Sequence, residues 1–205
     1  MNGETSADRD LGPNLVDQDG ELYYLPFFLA MESADAVLAQ CRQQLSCEQE
    51  FITVVGRKVA VPRLVAWHGD EDAIYRYSGL THHPKPWTPT LLALRDQIVS
   101  LSGRSFNSVL GNWYRDGNDS MGWHADQEKV LGRNPWIASL SLGETRLFKL
   151  RHNRTGQTLD LRLTHGSLLF MGGSLQHHWR HCVPKSRIPT GGRINLTFRY
   201  VYPQA

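Results

Sequence analysis

A helical pattern of apolar residues runs from residue 33 to residue 45. Ser33 is a favourable N-cap residue, and the apolar positions after it recur every three or four residues. This spacing predicts an amphipathic helix through Leu45 that buries one of its faces. The apolar positions of this helix are Val37, Leu38, Cys41 and Leu45.

A second helix is predicted between residues 88 and 103. Thr88 and Pro89 are a favoured N-cap and first-turn pair. Gly103 favours a helix end, because glycine tolerates the left-handed conformation that often follows the last turn. The apolar stripe of this helix consists of Leu91, Leu94, Ile98 and Leu101.

The remaining pattern is that of β-strands. Residues 52–59 predict a hairpin that turns near Gly56, and residues 73–77 predict a strand on which Tyr75 and Tyr77 share a face. Beyond Gly103 no helical pattern is present. Short alternating runs, separated by turn residues, occur at 108–114, 137–142, 147–150, 159–163, 167–171 and 194–201. Many short strands at this spacing predict a mainly β (α+β) protein, a jelly roll or double-stranded β-helix buttressed by helices.

The length of 205 residues suits one domain. Residues 1–20 are polar, rich in Gly and Asp and without periodicity, so we predict a flexible N-terminal tail there. Residues 21–205 are predicted to form a single domain, and we expect a monomer. Within this domain, residues 51–80 form the hairpin region and residues 105–202 the jelly-roll core.

Composition excludes two classes of protein. The three cysteines, Cys41, Cys47 and Cys182, form no Cys-x-x-Cys pair, and their odd number argues against a disulfide framework. No run is long and apolar enough for a membrane span, and the polar N-terminus is unlike a signal peptide. We therefore expect a protein of the cytoplasm, or of the nucleus in a eukaryote, with no membrane partner.

Charge is distributed unevenly, although the net charge is only +2. Residues 1–50 hold ten acids against two bases, whereas residues 146–205 hold ten bases against one acid. A basic C-terminal face could bind a polyanion such as nucleic acid. The alternative is an ordinary solvated surface of mixed charge.

His124 and Asp126 form a candidate metal-binding pair. On a strand, side chains at positions i and i+2 point to the same face, so the imidazole and the carboxylate could bind one metal ion together. A second histidine would complete a two-histidine, one-carboxylate set, which leaves three positions of Fe(II) open for co-substrate and oxygen. His181, in a β-type run 55 residues after Asp126, is a candidate for that histidine. The alternative for His181 is a packed or surface histidine.

Residues 193–199 alternate between apolar and polar side chains. The polar positions, which share one strand face, are Arg193, Asn195, Thr197 and Arg199. Such a face would be costly inside a sandwich without anionic partners, and guanidinium groups match carboxylates. Beside a metal site the pattern favours a small dicarboxylate such as 2-oxoglutarate. The alternative is an edge strand with one solvated face.

These residues together resemble the AlkB family of Fe(II)/2-oxoglutarate dioxygenases. The resemblance rests on His124-x-Asp126, on His181 twelve residues before Arg193, and on the alternation over residues 193–199. It covers about residues 50–202, with further similar segments at 62–63, 68–70, 75–80, 84–87, 112–117, 137–143 and 165–169. It implies Fe(II), 2-oxoglutarate and O2 as cofactor and co-substrates, and an N-terminal hairpin lid for nucleotide recognition.

The resemblance also implies roles for single residues. The implied iron ligands are His124, Asp126 and His181. The implied 2-oxoglutarate contacts are Arg193, Asn112 and Tyr114 at the distal carboxylate, Asn195 and Arg199 near the metal-bound carboxylate, and Ser139 in the same pocket. The implied substrate contacts are Tyr75 and Tyr77, which stack a flipped base opposite His124, and Glu128, which reads its exocyclic amine.

The tip of the predicted hairpin suggests a further substrate contact. Two apolar β-branched residues, Val54 and Val55, precede Gly56 at the turn, and Arg57 and Lys58 follow. Either the tip packs against the sandwich, or it is a wedge that enters the base stack while the two basic residues bind flanking phosphates.

The implied activity is oxidative demethylation of 1-methyladenine and 3-methylcytosine in DNA, or in RNA, with release of formaldehyde. The cationic ring of such a base suits an aromatic face and a nearby carboxylate. The residues alone predict only a non-haem Fe(II), dicarboxylate-dependent oxygenase with a polyanionic partner. One alternative is a non-catalytic metal-binding jelly-roll module that reads modified nucleic acid. The other is a related oxygenase that acts on a protein or a small molecule.

Overall fold

The structure is a computed structural model, and it describes residues 11–54, 56–77, 80–188 and 191–203. The helices are α1 (Met31–Gln44), α2 (Pro89–Ser102) and α3 (Leu175–His178), with one 3-10 turn at Lys129–Leu131. The strands are β1 (Glu21–Leu25), β2 (Glu48–Val54), β3 (Arg57–Gly69), β4 (Tyr75–Tyr77), β5 (Leu80–His82), β6 (Ser108–Tyr114), β7 (Met121–His124), β8 (Ile137–Gly143), β9 (Arg146–His152), β10 (Thr158–Leu163), β11 (Ser167–Gly172), β12 (Trp179–Val183) and β13 (Arg193–Arg199).

Two antiparallel sheets form the sandwich. The major sheet has seven strands in the order β1-β11-β8-β13-β6-β3-β2, and the minor sheet has four in the order β10-β9-β12-β7. Apolar side chains from both sheets, such as Met171 in the major sheet and Leu150 in the minor sheet, form one buried cluster between them. The predicted mainly β jelly roll is therefore confirmed.

The two predicted helices cover the outer face of the major sheet. Leu91 and Ile98 of α2 pack in one cluster with Leu196 and Phe198 of β13. The signals at both ends of α2 are confirmed: the Thr88 hydroxyl accepts a hydrogen bond from the Leu91 N–H at 3.3 Å. Gly103 ends the helix with a φ of 66°. Leu196 and Phe198 of β13 therefore face the helices. Because successive side chains of a strand point to opposite faces, the polar residues that alternate with them must face the interior of the sandwich.

The predicted start of α1 is wrong. Its N-cap is Ala30, and no side chain caps it, so Ser33 lies inside the first turn. Tertiary contacts decide this start. The Leu29 N–H donates to the Gly166 carbonyl at 3.0 Å, and Ala34 is fully buried. These contacts fix where the chain enters the helix, and they outweigh the capping preference of Ser33.

Two further predictions are corrected. Helical structure does occur after Gly103, in α3 and in the 3-10 turn. Each of these segments is only about one helical turn long, which is too short to produce a recognisable period. The edge-strand alternative for residues 193–199 is also wrong, because β13 pairs with β6 on one side and with β8 on the other.

Residues 11–20 pack on the fold. Val16 is 4% exposed, and Leu22 N–H donates to the Asn14 side chain at 2.8 Å. This packing differs from the loose tail predicted for residues 1–20, of which residues 1–10 lie outside the described part of the chain. Within the described residues, none of the helices has the length and apolar content needed to cross a bilayer.

The predicted hairpin is formed by β2 and β3. Val54 pairs with Arg57 beside the turn, where Gly56 has a φ of 75°. Towards the turn the hairpin leaves the core: Phe51 and Val59 are each 45% exposed, and Arg57 and Lys58 are exposed. Val55 lies outside the described residues.

Candidate metal centre and adjoining cavities

The structure brings His124, Asp126 and His181 together between the two sheets. One possible ligand atom from each lies within 4.8 Å of the others. His124 ends β7 and is paired directly with His181 of β12, so the pairing of these strands sets the distance between the two rings. The ring centroids are 4.2 Å apart.

Asp126 does not lie on the strand that carries His124. The strand β7 ends at His124, so the expectation of two side chains on one strand face is wrong in this detail. Asp126 is held instead by Gln176 of α3, whose Oε1 accepts a hydrogen bond from the Asp126 N–H at 2.9 Å. Gln176 is 1% exposed, and no sequence period marked it. The position of Asp126 therefore depends on a hydrogen bond with a residue that lies 50 positions later in the sequence.

The ring orientations leave nitrogen atoms for a metal ion. His124 Nδ1 is 2.8 Å from the Gly122 carbonyl, to which it can donate its proton. The Nε2 atom then carries a lone pair and lies 3.8 Å from Asp126 Oδ1. The ring of His181 stacks on Phe148 with centroids 5.2 Å apart, which fixes its plane.

The charges of the cluster keep its groups in the forms that bind metals. Burial opposes ionisation of Asp126, but the charge and hydrogen bond of Arg199 and the nearby His181 and His124 together outweigh it, and the pKa of this carboxyl falls to about 2. Burial, with the nearby His124, lowers the pKa of His181 to about 3. At neutral pH the site therefore presents one carboxylate and a neutral imidazole of His181. Two imidazoles and one carboxylate fit Fe(II).

A second group of similar composition does not fit a metal ion. Asp19, His152 and His178 also have ligand atoms within 4.8 Å of one another. However, His152 Nδ1 accepts the Thr155 N–H at 3.0 Å, so its proton is on Nε2, which faces Asp19 Oδ2 at 3.0 Å. Both nitrogens of His152 are therefore used by the protein, and this group joins residues 11–20 to the minor sheet.

A small polar cavity lies next to the first cluster and contains the inner face of β13. Its walls include both histidines and Asp126, together with all the residues predicted to hold 2-oxoglutarate. Those residues are Asn112, Tyr114, Ser139, Arg193, Asn195 and Arg199. They come from three neighbouring strands, β6, β8 and β13, in which Asn195 is paired with both Asn112 and Ser141.

Arg193 is the strongest candidate for an anion contact in this cavity. Its side chain is 1% exposed, and Nη2 donates to Ser141 Oγ at 2.9 Å. Its Nε and Nη1 have no hydrogen-bond partner among the described residues. Burial lowers the pKa of Arg193, and nearby Tyr114 opposes this effect. A buried guanidinium with two unused donors fits a carboxylate ligand.

Other residues in the cavity have protein partners. Asn195 Nδ2 donates to Ser139 Oγ at 2.8 Å, and its Oδ1 accepts the Thr197 hydroxyl at 2.9 Å. Arg199 Nη2 donates to Asp126 Oδ2 at 2.9 Å, in a pair in which both side chains are less than 10% exposed. Arg199 thus orients the carboxylate of the metal cluster.

A larger cavity of about 400 Å³ opens on the other side of the metal cluster. It shares Met121, His124, Asp126 and Arg199 with the small cavity. Its volume is typical of small-molecule pockets. Its walls include the predicted Glu128 and several residues to which the sequence assigned no role: Glu50, Arg63, Trp67 and Trp123. These residues were missed because β2, β3 and β7 meet only in the folded chain.

The other predicted substrate residues are placed less completely. Tyr75 and Tyr77 lie on β4, which forms a two-stranded sheet with β5 in the segment that follows β3. Arg57 and Lys58 lie at the exposed end of the hairpin whose inner part lines the large cavity through Ile52 and Val61. These positions put the hairpin next to the cavity, and its role as a lid stays a prediction.

A jelly roll with a two-histidine, one-carboxylate cluster between two cavities has the architecture of a non-haem Fe(II) oxygenase. A model of the 2OG-Fe(II) oxygenase superfamily matches residues 21–199. The alpha-ketoglutarate-dependent dioxygenase alkB homolog 3 of Bos taurus is 42% identical over 188 residues, which are 87% of this chain and 65% of that protein. The DNA oxidative demethylase ALKBH2 of Mus musculus is 40% identical over 176 residues, 78% of this chain and 74% of that protein.

A solved structure shows the same fold. The structure of OsALKBH1 has a TM-score of 0.64 at 18% identity, over 87% of this chain and 97% of that one. The chain belongs to the 2OG-Fe(II) oxygenase superfamily and, within it, to the AlkB family. It spans only about 65% of the length of the alkB homolog 3 proteins that it matches.

Proposed function

We propose that this protein is an Fe(II)/2-oxoglutarate-dependent oxidative demethylase that repairs N-alkylated bases, 1-methyladenine and 3-methylcytosine, in DNA, with RNA as the alternative substrate. The observation that carries the proposal is the position of the metal cluster between two cavities of different character. One cavity contains a buried guanidinium with unused donors, and the other is open and lined by aromatic and acidic residues. Relatives of this chain carry the names of a dioxygenase and of a DNA oxidative demethylase.

In this proposal His124, Asp126 and His181 hold the iron. Arg193, with Asn112 and Tyr114, holds the distal carboxylate of 2-oxoglutarate. Iron held there, with 2-oxoglutarate and O2 as co-substrates, would supply the oxidation of the N-methyl group, which leaves as formaldehyde. The chain itself orients the groups: Gly122 and Gln176 fix two of the ligands, and the strand pairing fixes the third.

Further residues complete the co-substrate end of the site. Asn195 and Arg199 are proposed to lie against the carboxylate that binds the metal, and Ser139 to line the same pocket. Because Arg199 already bonds Asp126, its charge can stabilise the ligand and the co-substrate carboxylate together.

The large cavity is proposed to hold the flipped methylated base. Alkylation at 1-methyladenine or 3-methylcytosine makes the ring cationic, and Glu50 and Glu128 bring carboxylates to the cavity walls. We propose that Tyr75 and Tyr77 stack on the base opposite His124. A methylated base pairs poorly, so it costs less to extrude from the duplex than a normal base.

Glu128→Ala is expected to lower demethylation of methylated oligonucleotides while the uncoupled decay of 2-oxoglutarate stays near the wild-type rate. The reason is that Glu128 lines the large cavity and is absent from the walls of the small one. Formaldehyde and succinate measured in the same reactions separate the two rates. Glu48→Ala is the charge-matched control, because Glu48 is 73% exposed and pairs with Lys85 at the surface. Equal loss of both rates in Glu128→Ala would place Glu128 in the metal shell instead.

The hairpin is proposed to act as a wedge at the substrate. Val55→Ala is expected to slow repair of double-stranded substrate more than repair of single-stranded substrate, since unstacking costs a few kcal/mol only in a duplex. Removal of both Arg57 and Lys58 should weaken binding of both substrates and flatten its salt dependence. The exposed position of these two residues supports this design. A melting temperature lowered by several degrees in Val55→Ala, with both substrates affected equally, would show instead that Val55 is part of the core.

The proposed function is tested by mass spectrometry of matched oligonucleotides. Single- and double-stranded DNA and RNA that contain 1-methyladenine or 3-methylcytosine are incubated with Fe(II), 2-oxoglutarate and O2. Loss of 14 Da is expected in the methylated strands, with one formaldehyde and one succinate for each event (about 1:1). Binding of methylated strands without any succinate would instead support the non-catalytic module. If only a peptide or a small molecule stimulated succinate formation, the protein would be an oxygenase that acts on that class of substrate.

A further inference from the structure

A second cleft, of about 470 Å³, lies beside the C-terminal end of β13 and the N-terminal end of β8. We call it the aromatic cleft, and define it by Trp136, Tyr200, Tyr202, Arg104 and Arg133. It shares no wall residue with the two cavities at the metal cluster. The proposed chemistry therefore leaves this cleft without a role.

The aromatic side chains of the cleft are held in place and remain accessible. Tyr200 is 37% exposed and Tyr202 is 54% exposed, and their rings are 5.0 Å apart at 66°. The Tyr202 N–H donates to the Val130 carbonyl at 2.7 Å. Gly132 has a φ of 79°, and a Cβ there would lie 2.8 Å from Tyr202 Cε2. The ring of Tyr202 thus packs against Gly132, where a side chain would collide with it, and more than half of Tyr202 stays exposed.

The charged side chains of the cleft are both positive. The Arg104 guanidinium lies 4.2 Å from the ring centroid of Trp136 and extends the planar surface. Arg104 and Arg133 are exposed, and neither forms an ion pair with any described residue. No Asp or Glu is found among the described residues that line the cleft. Such a surface attracts anions with flat apolar groups.

The cleft adjoins the large cavity across a thin wall. Glu128 lines the cavity, the turn Lys129–Leu131 follows, and Leu131 lines the cleft. At the other side of the wall, Arg199 lines the cavity and the next residue, Tyr200, lines the cleft. Consecutive Cα atoms are about 3.8 Å apart, so the wall is thin. The side chains of consecutive residues on a strand point to opposite faces, so a nucleic-acid strand has to pass round this wall to occupy both sites.

We propose that the aromatic cleft binds nucleotides of the methylated strand that lie beyond the immediate neighbours of the methylated base. One base stacks on Tyr202 and Tyr200, and Arg104 and Arg133 bind the adjoining phosphates. Nucleic acid is the occupant that fits, because stacking surfaces combined with unpaired cations are the features that bind single strands without regard to sequence. The proposal rests on the proposed function for the path of the strand, and on the cleft itself for the contact.

The test compares a long and a short strand. Binding of a fluorescently labelled, unmethylated single-stranded DNA of about ten nucleotides, measured by anisotropy, should weaken about tenfold in Tyr202→Ala, the size expected for one lost stacked base. Arg104→Ala and Arg133→Ala should each lower the slope of log K against log salt by about 0.7. In all three variants the kcat/KM for a trinucleotide centred on 1-methyladenine should stay at the wild-type value, because that substrate is too short to reach the cleft.

Two control variants accompany the test. Tyr202→Phe keeps the ring and should bind the long strand as the wild type does. Arg42→Ala removes the same charge from an exposed position on α1 that lines none of these cavities, and it should leave the salt slope unchanged. Unchanged binding of the long strand by Tyr202→Ala and both arginine variants would overturn the proposal, and so would an equal loss on the trinucleotide.

The outcomes also separate this proposal from the proposed function. If no methylated strand were demethylated but the cleft variants still weakened binding of the long strand, the activity would be wrong and the cleft would stand. If methylated strands were demethylated and the cleft variants bound as the wild type does, the activity would stand and the cleft would be wrong.

Discussion

Asp126→Ala is expected to abolish demethylation, and with it the uncoupled decay of 2-oxoglutarate. Asp126 is the only carboxylate of the three-residue cluster, and its pKa of about 2 keeps it ionised at every working pH. Without it the site keeps only two imidazoles, which bind Fe(II) weakly. Succinate formation and iron content of the purified variant measure the two losses separately.

The loss should be accompanied by some destabilisation. Asp126 bonds Arg199 at 2.9 Å in a buried pair, and removal of one partner from such a pair costs about 3–5 kcal/mol. Asp126→Asn, which keeps a polar group beside Arg199, is therefore the better variant when the alanine variant melts early. Both variants should lack activity.

His181→Ala should have the same effect on turnover, and His178→Ala is its matched control. His178 lies three residues earlier and belongs to the group around His152, whose nitrogens are already used. An active His181→Ala together with an inactive His178→Ala would show that the ligand assignment is wrong.

Arg193→Ala is expected to weaken 2-oxoglutarate binding by about 3–5 kcal/mol, which is a factor of more than a hundred. The side chain is 1% exposed, and the carboxylate would be left in a buried position without its cation. Arg193→Lys should recover only part of the affinity, because the ammonium group cannot form the paired hydrogen bonds of the guanidinium group. The KM for 2-oxoglutarate, and the rise in melting temperature on its addition, measure the effect.

Ser141→Ala is a graded control for this prediction. Ser141 Oγ accepts one hydrogen bond from Arg193 and lies outside the walls of the small cavity. The loss of this orienting contact should raise the KM by a few-fold, in line with one hydrogen bond of about 1 kcal/mol. An unchanged KM in Arg193→Ala would place the distal carboxylate elsewhere.

The elements that the sequence predicted well are those with local causes. The helix α2 has its N-cap, its first-turn proline and its terminal glycine within the element, and the hairpin around Gly56 needs only its own pattern. The start of α1 failed because contacts with Gly166, more than a hundred residues away, decide it. Short segments such as α3 failed because one turn has no period.

The candidate site divides in the same way. The alternation of residues 193–199 placed the four polar side chains on one face, and all four are buried. By contrast, the contributions of Gln176, Arg63 and Glu50 could not be found from the sequence, since each reaches the site from a helix or strand that meets it only in the fold. The proposed roles of the residues around the metal remain predictions from the resemblance.

By itself the sequence determined the class of fold, the family and the kinds of side chain available for chemistry, because these follow from periodicity and from motifs within short segments. Only the tertiary structure decided which groups act together. Two clusters of histidine and aspartate have ligand atoms within 4.8 Å, and the Thr155 N–H on His152 is what disqualifies one of them. It also placed the aromatic cleft next to the large cavity. Distances between residues far apart in sequence depend on strand order and register, which no local pattern specifies.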